Sequence, residues 1–338
     1  MKQAEVLVEV TRGPLVENWH RGHVAVVDWQ GKLLYSAGDP YHITYWRSSA
    51  KPFQALPVVE SGAADRFGIT PRELALFCAS HNGEEMHTET VKGIFAKLGK
   101  DPALLQCGVH MPYHAPTAKA MLRAGQEPTP LHCNCSGKHS GMLALCVHLG
   151  YDPGTYLEPD HPVQQLILDY IADLTGYPRG EIAIGIDGCG VPVHGLPVYN
   201  MAWAYARLAR PAGLSPQRAE ACRRVASAMI AHPEMVGGTD RFCTELMRAG
   251  GGQLVGKAGA AGVYCVGIMD EGIGIAVKCE DGSGRGRDPA VVEILAQLGY
   301  LDSGQLEALA KFHRPQNLNH RKEKCGEVIP VVRLKKEC

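Results

Sequence analysis

The chain has 338 residues, enough to bury a sizeable core, and its 34 Lys and Arg against 35 Asp and Glu leave a net charge of −1. No basic stripe or polybasic tract is present, which argues against nucleic acid or a membrane surface as a partner. The first residues pass directly into a strand pattern, and no apolar stretch approaches the ~20 residues of a membrane span, so we expect a cytoplasmic protein.

Strand patterns open and close the chain. Residues 5–11 alternate between apolar and other side chains, and 23–29 with 32–36 predict a hairpin. A second hairpin is predicted over 262–279, followed by a strand at 327–334. Between these strands, apolar residues spaced three and four apart predict helices at 48–62, 71–78, 87–98, 119–123, 138–149, 161–175, 198–207, 216–231 and 288–298.

This order predicts an α/β (α+β) fold in which an antiparallel sheet combines strands from both ends of the chain. Strands from about 1–46 and 255–336 would form the sheet, and 47–254 would form a mainly helical lobe with the active-site loops. The sequence shows no repeat and no clear linker, so we predict one two-lobed domain over 1–338. The layout resembles the serine β-lactamase fold.

Other segments predict structure rather than chemistry. Most of the 12 cysteines are expected to be small core residues in a reducing compartment, in particular Cys78, Cys146, Cys222, Cys265 and Cys279. The segment 232–242 is predicted to be a surface connection, although it could also lie over a pocket. The glycine-rich run 282–287 is predicted to be a flexible turn.

Three short motifs suggest serine chemistry: Ser48-x-x-Lys51, Ser80-x-Asn82 and Lys257-x-Gly259. A serine hydroxyl needs a base, and a lysine amine can act as one when desolvation or nearby positive charge lowers its pKa. Helical residues three apart share a face, so the Lys51 amine could reach the Ser48 oxygen. Their order resembles that of serine β-lactamases and penicillin-binding proteins. The alternative is a Ser48 that caps a helix and a solvated Lys51.

Two glycine-rich loops carry reactive thiols, Cys135 in 131–141 and Cys189 in 184–192. Together with a neutral Lys138 they could bind zinc and leave one position open. Alternatively, Cys135 could be a thiolate nucleophile activated by Lys138, His139 and the start of a helix. The third possibility is two reduced cysteines in glycine-rich turns, and spacing alone does not rank the three.

Taken together, five loops resemble those of the rhizobial-type L-asparaginases in order and spacing: 47–52, 80–84, 132–141, 187–192 and 232–238. The resemblance implies hydrolysis of L-asparagine to L-aspartate and ammonia by a cytoplasmic homodimer with a serine β-lactamase-like fold. It also implies two catalytic Ser–Lys pairs, and a zinc ion beside them. The pairs would be Ser48 with Lys51 and Ser80 with Lys257, and the zinc ligands Cys135, Lys138 and Cys189.

Further residues in these loops are predicted to contact the substrate, namely Arg47, Asn82, His139, Asp187 and Gly188. One position departs from the expected pattern, because an acidic side chain is expected near Ala261, where the sequence has none. The alternatives to an asparaginase are another serine amidase, esterase or β-lactam hydrolase, a cysteine amidase centred on Cys135, and a non-catalytic amino-acid or penicilloyl sensor.

Overall fold

The computed structural model describes residues 3–337. Its strands are β1 (Glu5–Arg12), β2 (Leu15–Asp28), β3 (Leu33–Ala37), β4 (Ile43–Tyr45), β5 (Ala183–Ile186), β6 (Pro192–Pro197), β7 (Leu254–Ala258), β8 (Val263–Ile268), β9 (Ile273–Cys279), β10 (Gln316–Leu318), β11 (Lys324–Pro330) and β12 (Lys335–Lys336). Its helices are α1 (Lys51–Glu60), α2 (Ala63–Arg66), α3 (Pro71–Phe77), α4 (Glu85–Leu98), α5 (Ala115–Arg123), α6 (Ser136–Leu149), α7 (Pro162–Thr175), α8 (Val198–Ala209), α9 (Pro216–Ala231), α10 (Pro233–Val236), α11 (Phe242–Ala249), α12 (Gly284–Gln297), α13 (Ser303–Ala308) and α14 (Ala310–His313).

The chain divides into two compact units, of which the first comprises residues 3–49, 196–210 and 245–337. Nine of its described strands form an antiparallel sheet in the order β10-β11-β1-β2-β9-β8-β7, with β3 paired to β2 and β12 paired to β3. The N-terminal β2 pairs with the C-terminal β9 from Gly22 opposite Cys279 to Asp28 opposite Ile273. The predicted α/β class, with a sheet built from both ends of the chain, is therefore confirmed.

Helix α8 packs directly on β2, β8 and β9. A glycine in β9 allows this approach, because a Cβ atom at Gly274 would lie only 1.8 Å from the carbonyl oxygen of Ala202 in α8. Four successive residues of β2, Val24, Ala25, Val26 and Val27, are completely buried. Since successive side chains of a strand point to opposite faces, the sheet is covered on both faces there.

The second unit, residues 50–195 and 211–244, is mostly helical and also contains an antiparallel hairpin of β5 with β6. Helix α6 packs against α1, α3 and α4 and is buried on all sides from Ser136 to Cys146. A Cβ atom at Gly137 would lie 2.1 Å from the Leu76 carbonyl oxygen, so only glycine fits there. Helix α6 therefore carries Lys138 and His139 into the interior of the unit.

Two of the segment predictions need correction. Residues 232–242 are a surface connection only in part, because Pro233–Val236 forms the short helix α10 with Pro233, Met235 and Val236 buried, whereas residues 239–241 are exposed. Residues 282–287 are not a flexible turn, because Ser283 caps α12 by accepting a hydrogen bond from the Arg285 amide. Both segments hold their conformation through a proline or a cap at the first turn of a helix.

Other expectations hold. The five cysteines predicted to be core residues are all buried. Over residues 3–337, none of the helices has both the length and the apolar character needed to cross a bilayer.

Candidate active site

In the first unit, the segment that carries Ser48 is tied to the strand that carries Lys257. Ser48 lies in a 3₁₀ helix, Arg47–Ala50, and the preceding Arg47 has a positive φ of 54°. The neighbouring Ser49 is buried, and its hydroxyl donates to the carbonyl oxygen of Lys257 at 2.8 Å. The Tyr205 hydroxyl donates to the carbonyl oxygen of Ser49, also at 2.8 Å. Ser48 and Lys257, two of the four predicted catalytic residues, therefore lie on segments that are hydrogen-bonded to each other.

Lys257 lies in β7 and is completely buried, and its amine donates to the Ala258 carbonyl oxygen at 2.7 Å. A Cβ atom at Gly259 would come within 2.9 Å of the Trp46 carbonyl oxygen and 3.0 Å of the Ser49 hydroxyl. The glycine of the Lys257-x-Gly259 motif thus lets the segment before α1 pack against the end of β7.

In the second unit, the buried Lys51 is hydrogen-bonded to the half-buried Ser80. Lys51 is the first residue of α1 and only 1% exposed. Its amine donates to the Ser80 hydroxyl at 2.9 Å and to the Ala79 carbonyl oxygen, and it lies 3.3 Å from the Cys135 sulfur. The sequence predicted Lys257 as the partner of Ser80, whereas this contact pairs Ser80 with Lys51. The assignment of each Ser–Lys pair to a chemical step stays a prediction.

A carboxylate that the sequence analysis did not single out organises the surroundings of Asn82. Glu84 accepts hydrogen bonds from the Thr239 amide and the Thr239 hydroxyl, each at 2.8 Å, and also from the Asn82 side chain. Although partial burial acts to raise it, these hydrogen bonds hold the pKa of Glu84 below its usual value. Asn82 also donates to the Thr239 carbonyl oxygen at 3.4 Å, and the Ser80 amide donates to Val236 at 3.0 Å. The segment after α10 is therefore bound to the Ser80-x-Asn82 loop.

The buried histidines here act as neutral hydrogen-bonding groups. His81 bonds the Ser136 hydroxyl through Nε2 at 2.9 Å and accepts from the Gly83 amide through Nδ1. His139 bonds the Tyr156 hydroxyl through Nδ1 at 2.7 Å, and its Nε2 is buried without a hydrogen-bond partner. Burial lowers the pKa of both imidazoles well below the usual value. The Nε2 of His139 is thus a buried polar atom with no hydrogen-bond partner among residues 3–337.

The three predicted zinc ligands converge in the second unit. The Lys138 amine lies 2.8 Å from the Cys189 sulfur, and Cys189 is hydrogen-bonded to Cys135. All three side chains are buried. Asp187 is half-buried in the loop before Cys189, where its carboxylate accepts from the Gly188 amide at 2.8 Å.

The side chains of Cys135, Lys138 and Cys189 shift one another's pKa values. Hydrogen bonds from Cys133 and Cys189, together with the charges of Lys51 and Lys138, hold the pKa of Cys135 well below that of a free thiol despite its burial. Burial acts to lower the pKa of Lys138, but the thiols of Cys135 and Cys189 raise it overall. Both directions favour a thiolate at Cys135 and an ammonium group at Lys138.

Two thiols and an amine that meet in the interior of the second unit could hold a zinc ion and leave its fourth position open. The Lys138 amine must lose its proton to bind, so metal and proton compete for it. The residues thus fit a zinc ion. The proposed zinc ligands include only two residues of the usual metal-binding types, Cys135 and Cys189, and the third is Lys138. Within the described part of the chain, no group of three or more His, Cys, Asp or Glu side chains is arranged to bind a metal.

Comparison with known proteins gives one match to a protein family. The model of the family described as L-asparaginase II matches residues 8–330. No curated protein sequence matches the chain.

Several solved structures are similar to the chain over most of its length. A β-lactamase from Mycobacterium bovis is 13% identical, with 83% of this chain and 95% of that one covered and a TM-score of 0.43. The D-alanine carboxypeptidase AmpC from Burkholderia cenocepacia is 13% identical, with 82% and 93% covered and a TM-score of 0.42. A class C β-lactamase from Rhodobacter sphaeroides is 14% identical, with 82% and 94% covered and a TM-score of 0.41. Identities and TM-scores this low say nothing about the activity of this chain.

Proposed function

The chain belongs to the L-asparaginase II family, and from this premise we propose that it hydrolyses L-asparagine to L-aspartate and ammonia. The observation that carries the proposal is the family match over residues 8–330, which spans every residue of the candidate site. The partly buried hydrogen bond between Lys51 and Ser80, at 2.9 Å, supports a mechanism in which serine and lysine share protons.

In the proposed reaction, the Ser48 oxygen attacks the side-chain amide carbon of asparagine while the Lys51 amine takes the serine proton. The carbon–nitrogen bond then breaks, the nitrogen receives a proton, and ammonia leaves an aspartyl ester on Ser48. Water attacks this ester and releases aspartate, and the proton returns to Ser48. Ser80 and Lys257 relay protons between the amine and the leaving nitrogen, and a well-placed N–H donor to the oxyanion would contribute about 3–4 kcal/mol.

Substrate recognition in this proposal uses the charged and polar residues of the loops. Arg47 offers a cation for the α-carboxylate, and Asp187 offers an anion for the α-ammonium group. Asn82, the Gly188 backbone and the unpaired Nε2 of His139 supply the remaining hydrogen bonds. Together these groups would distinguish an α-amino acid from a simple amide.

The direct test is to measure ammonia release by the purified protein from L-asparagine and L-glutamine, with nitrocefin as a β-lactam substrate. We expect release from asparagine that follows saturation kinetics, and no turnover of nitrocefin. Hydrolysis of nitrocefin without ammonia release would favour a β-lactam hydrolase. Tight binding of asparagine without ammonia release would favour a sensor, and either result would overturn the proposal.

A zinc ion held by Cys135, Lys138 and Cys189 is the second part of the proposal. Bound there, zinc would supply positive charge that stabilises negative charge on oxygen and orients polar groups nearby. The chain's own contribution is to hold the two sulfurs and the amine together, with Lys51 close to Cys135.

We expect the purified protein to bind zinc in an equimolar amount and Cys189→Ser to lose it. Cys146→Ser is the matched control, because Cys146 is also buried in this unit and burial raises its pKa to about 12. Affinity should weaken as the pH falls, because protons compete with zinc for the Lys138 amine and the thiolates. Metal analysis and zinc titration at several pH values measure both effects. Equal zinc content in Cys189→Ser and the wild type would contradict this ligand set.

A further inference from the structure

The end of β7, which carries Lys257, is bound by a side chain that the mechanism above does not use. Arg287 lies in the first turns of α12, and its Nη1 donates to the Gly259 carbonyl oxygen at 3.1 Å. Gly259 is the last residue of the Lys257-x-Gly259 motif. Because one partner is charged and partly buried, this is among the stronger kinds of hydrogen bond in a protein.

Arg287 is itself held in place on two sides. Asp288 accepts from its Nε at 2.6 Å and lies 2.6 Å from its Nη2. Its guanidinium group lies over the ring of Tyr264, 5.6 Å from the ring centre, and Tyr264 pairs with Ala258 across β7 and β8. The guanidinium group therefore contacts both the strand end and the residue paired with it.

The loop that Arg287 contacts includes Ala261, where the sequence departs from the expected pattern. The expected acidic side chain is absent, and Ala261 has a positive φ of 54°, which is unusual for alanine. Here the backbone carbonyls of the loop are bound by cations from other elements, Gly259 by Arg287 and Ala261 by the Lys278 amine. The loop after Lys257 is thus fixed by donors to its backbone.

We propose that Arg287 is a positioning residue for Lys257, because it fixes the end of β7 through the Gly259 carbonyl oxygen. This role rests on the proposed function in so far as it concerns turnover. The strand end is bound from two sides, since Ser49 donates to the Lys257 carbonyl oxygen and Arg287 donates two residues further on. Losing the second donor lets the lysine backbone shift, and small shifts of a catalytic group are costly.

The test compares Arg287→Gln with Arg285→Gln. Arg285 lies on the same turn of α12 and is exposed, so its replacement is a matched control. We expect kcat for asparagine to fall roughly ten- to a hundredfold in Arg287→Gln, with KM within about threefold. Part of the lost kcat should be retained in Arg287→Lys and should return when guanidinium ions are added to Arg287→Gln. Arg285→Gln should behave as the wild type. Hydrogen exchange of residues 257–259 should quicken only in Arg287→Gln.

Thermal unfolding of each variant, with activity assays run well below the transition, separates loss of the fold from a shift in the position of Lys257. An unchanged kcat in Arg287→Gln, or equal losses in both glutamine variants, would overturn the inference. If the wild type releases no ammonia, the proposed function fails, and hydrogen exchange decides the inference alone. Unchanged exchange at residues 257–259 in Arg287→Gln would then overturn it, whereas faster exchange confined to that variant would support it.

Discussion

Replacing Ser48 by alanine should lower asparagine turnover at least about a thousandfold and leave the fold intact. The expectation follows from the proposed role, because without the Ser48 oxygen no ester can form and the other groups have no nucleophile to activate. Ser48 is only half-buried and alanine is smaller, so no clash arises. Ammonia release measures the loss, and mass spectrometry of the enzyme mixed with asparagine shows whether an ester still forms.

The neighbouring serine provides a comparison with a smaller expected loss of turnover. The Ser49 hydroxyl is buried and donates to the Lys257 carbonyl oxygen at 2.8 Å. Ser49→Ala leaves that carbonyl oxygen without this donor, at a cost of about 1–3 kcal/mol. We therefore expect Ser49→Ala to lower the unfolding temperature and to reduce kcat by about ten- to a hundredfold, as Arg287→Gln does, while an aspartyl ester still forms on Ser48. A Ser48→Ala variant with near-full activity would remove Ser48 from the mechanism.

The sheet could be predicted from the sequence because its signals are local. Alternating apolar residues mark β1, and short apolar runs joined by tight turns mark the hairpins that contain β2, β8 and β9. Pairing of the first strands with the last followed from strand patterns at both ends of the chain and helical patterns between them. The short helices α10 and α11 were missed because one or two turns are too short to show helical spacing.

The contacts of the site were harder to predict, because they join residues far apart in the chain. Glu84 binds Thr239 across 155 positions, and Lys51 binds Ser80 across 29. The motifs identify Lys51 and Ser80 as reactive, but their pairing depends on how α1 packs against the loop after α3. One local signal was available for Arg287: a serine at position 283 caps the helix that carries it.

Replacing Lys51 by methionine is the second change with a large expected effect. Methionine matches the length of lysine but cannot accept a proton, so kcat should fall about 10²–10⁴-fold. Lys51→Met also deprives Ser80 and the Ala79 carbonyl oxygen of a donor, which destabilises the fold. It also removes the cost of burying an amine, which stabilises the fold. Because the two effects oppose each other, the unfolding temperature should change little. Lys97→Met is the control, because Lys97 bonds to Glu73 at 2.6 Å, outside the proposed site.

The thiol beside Lys51 gives a second readout for the same variant. Lys51 also lies 3.3 Å from Cys135 and helps to lower the pKa of that thiol, so iodoacetamide should alkylate Cys135 more slowly in Lys51→Met. Slower alkylation with turnover within tenfold of the wild type would assign Lys51 to the thiol site rather than to the serine.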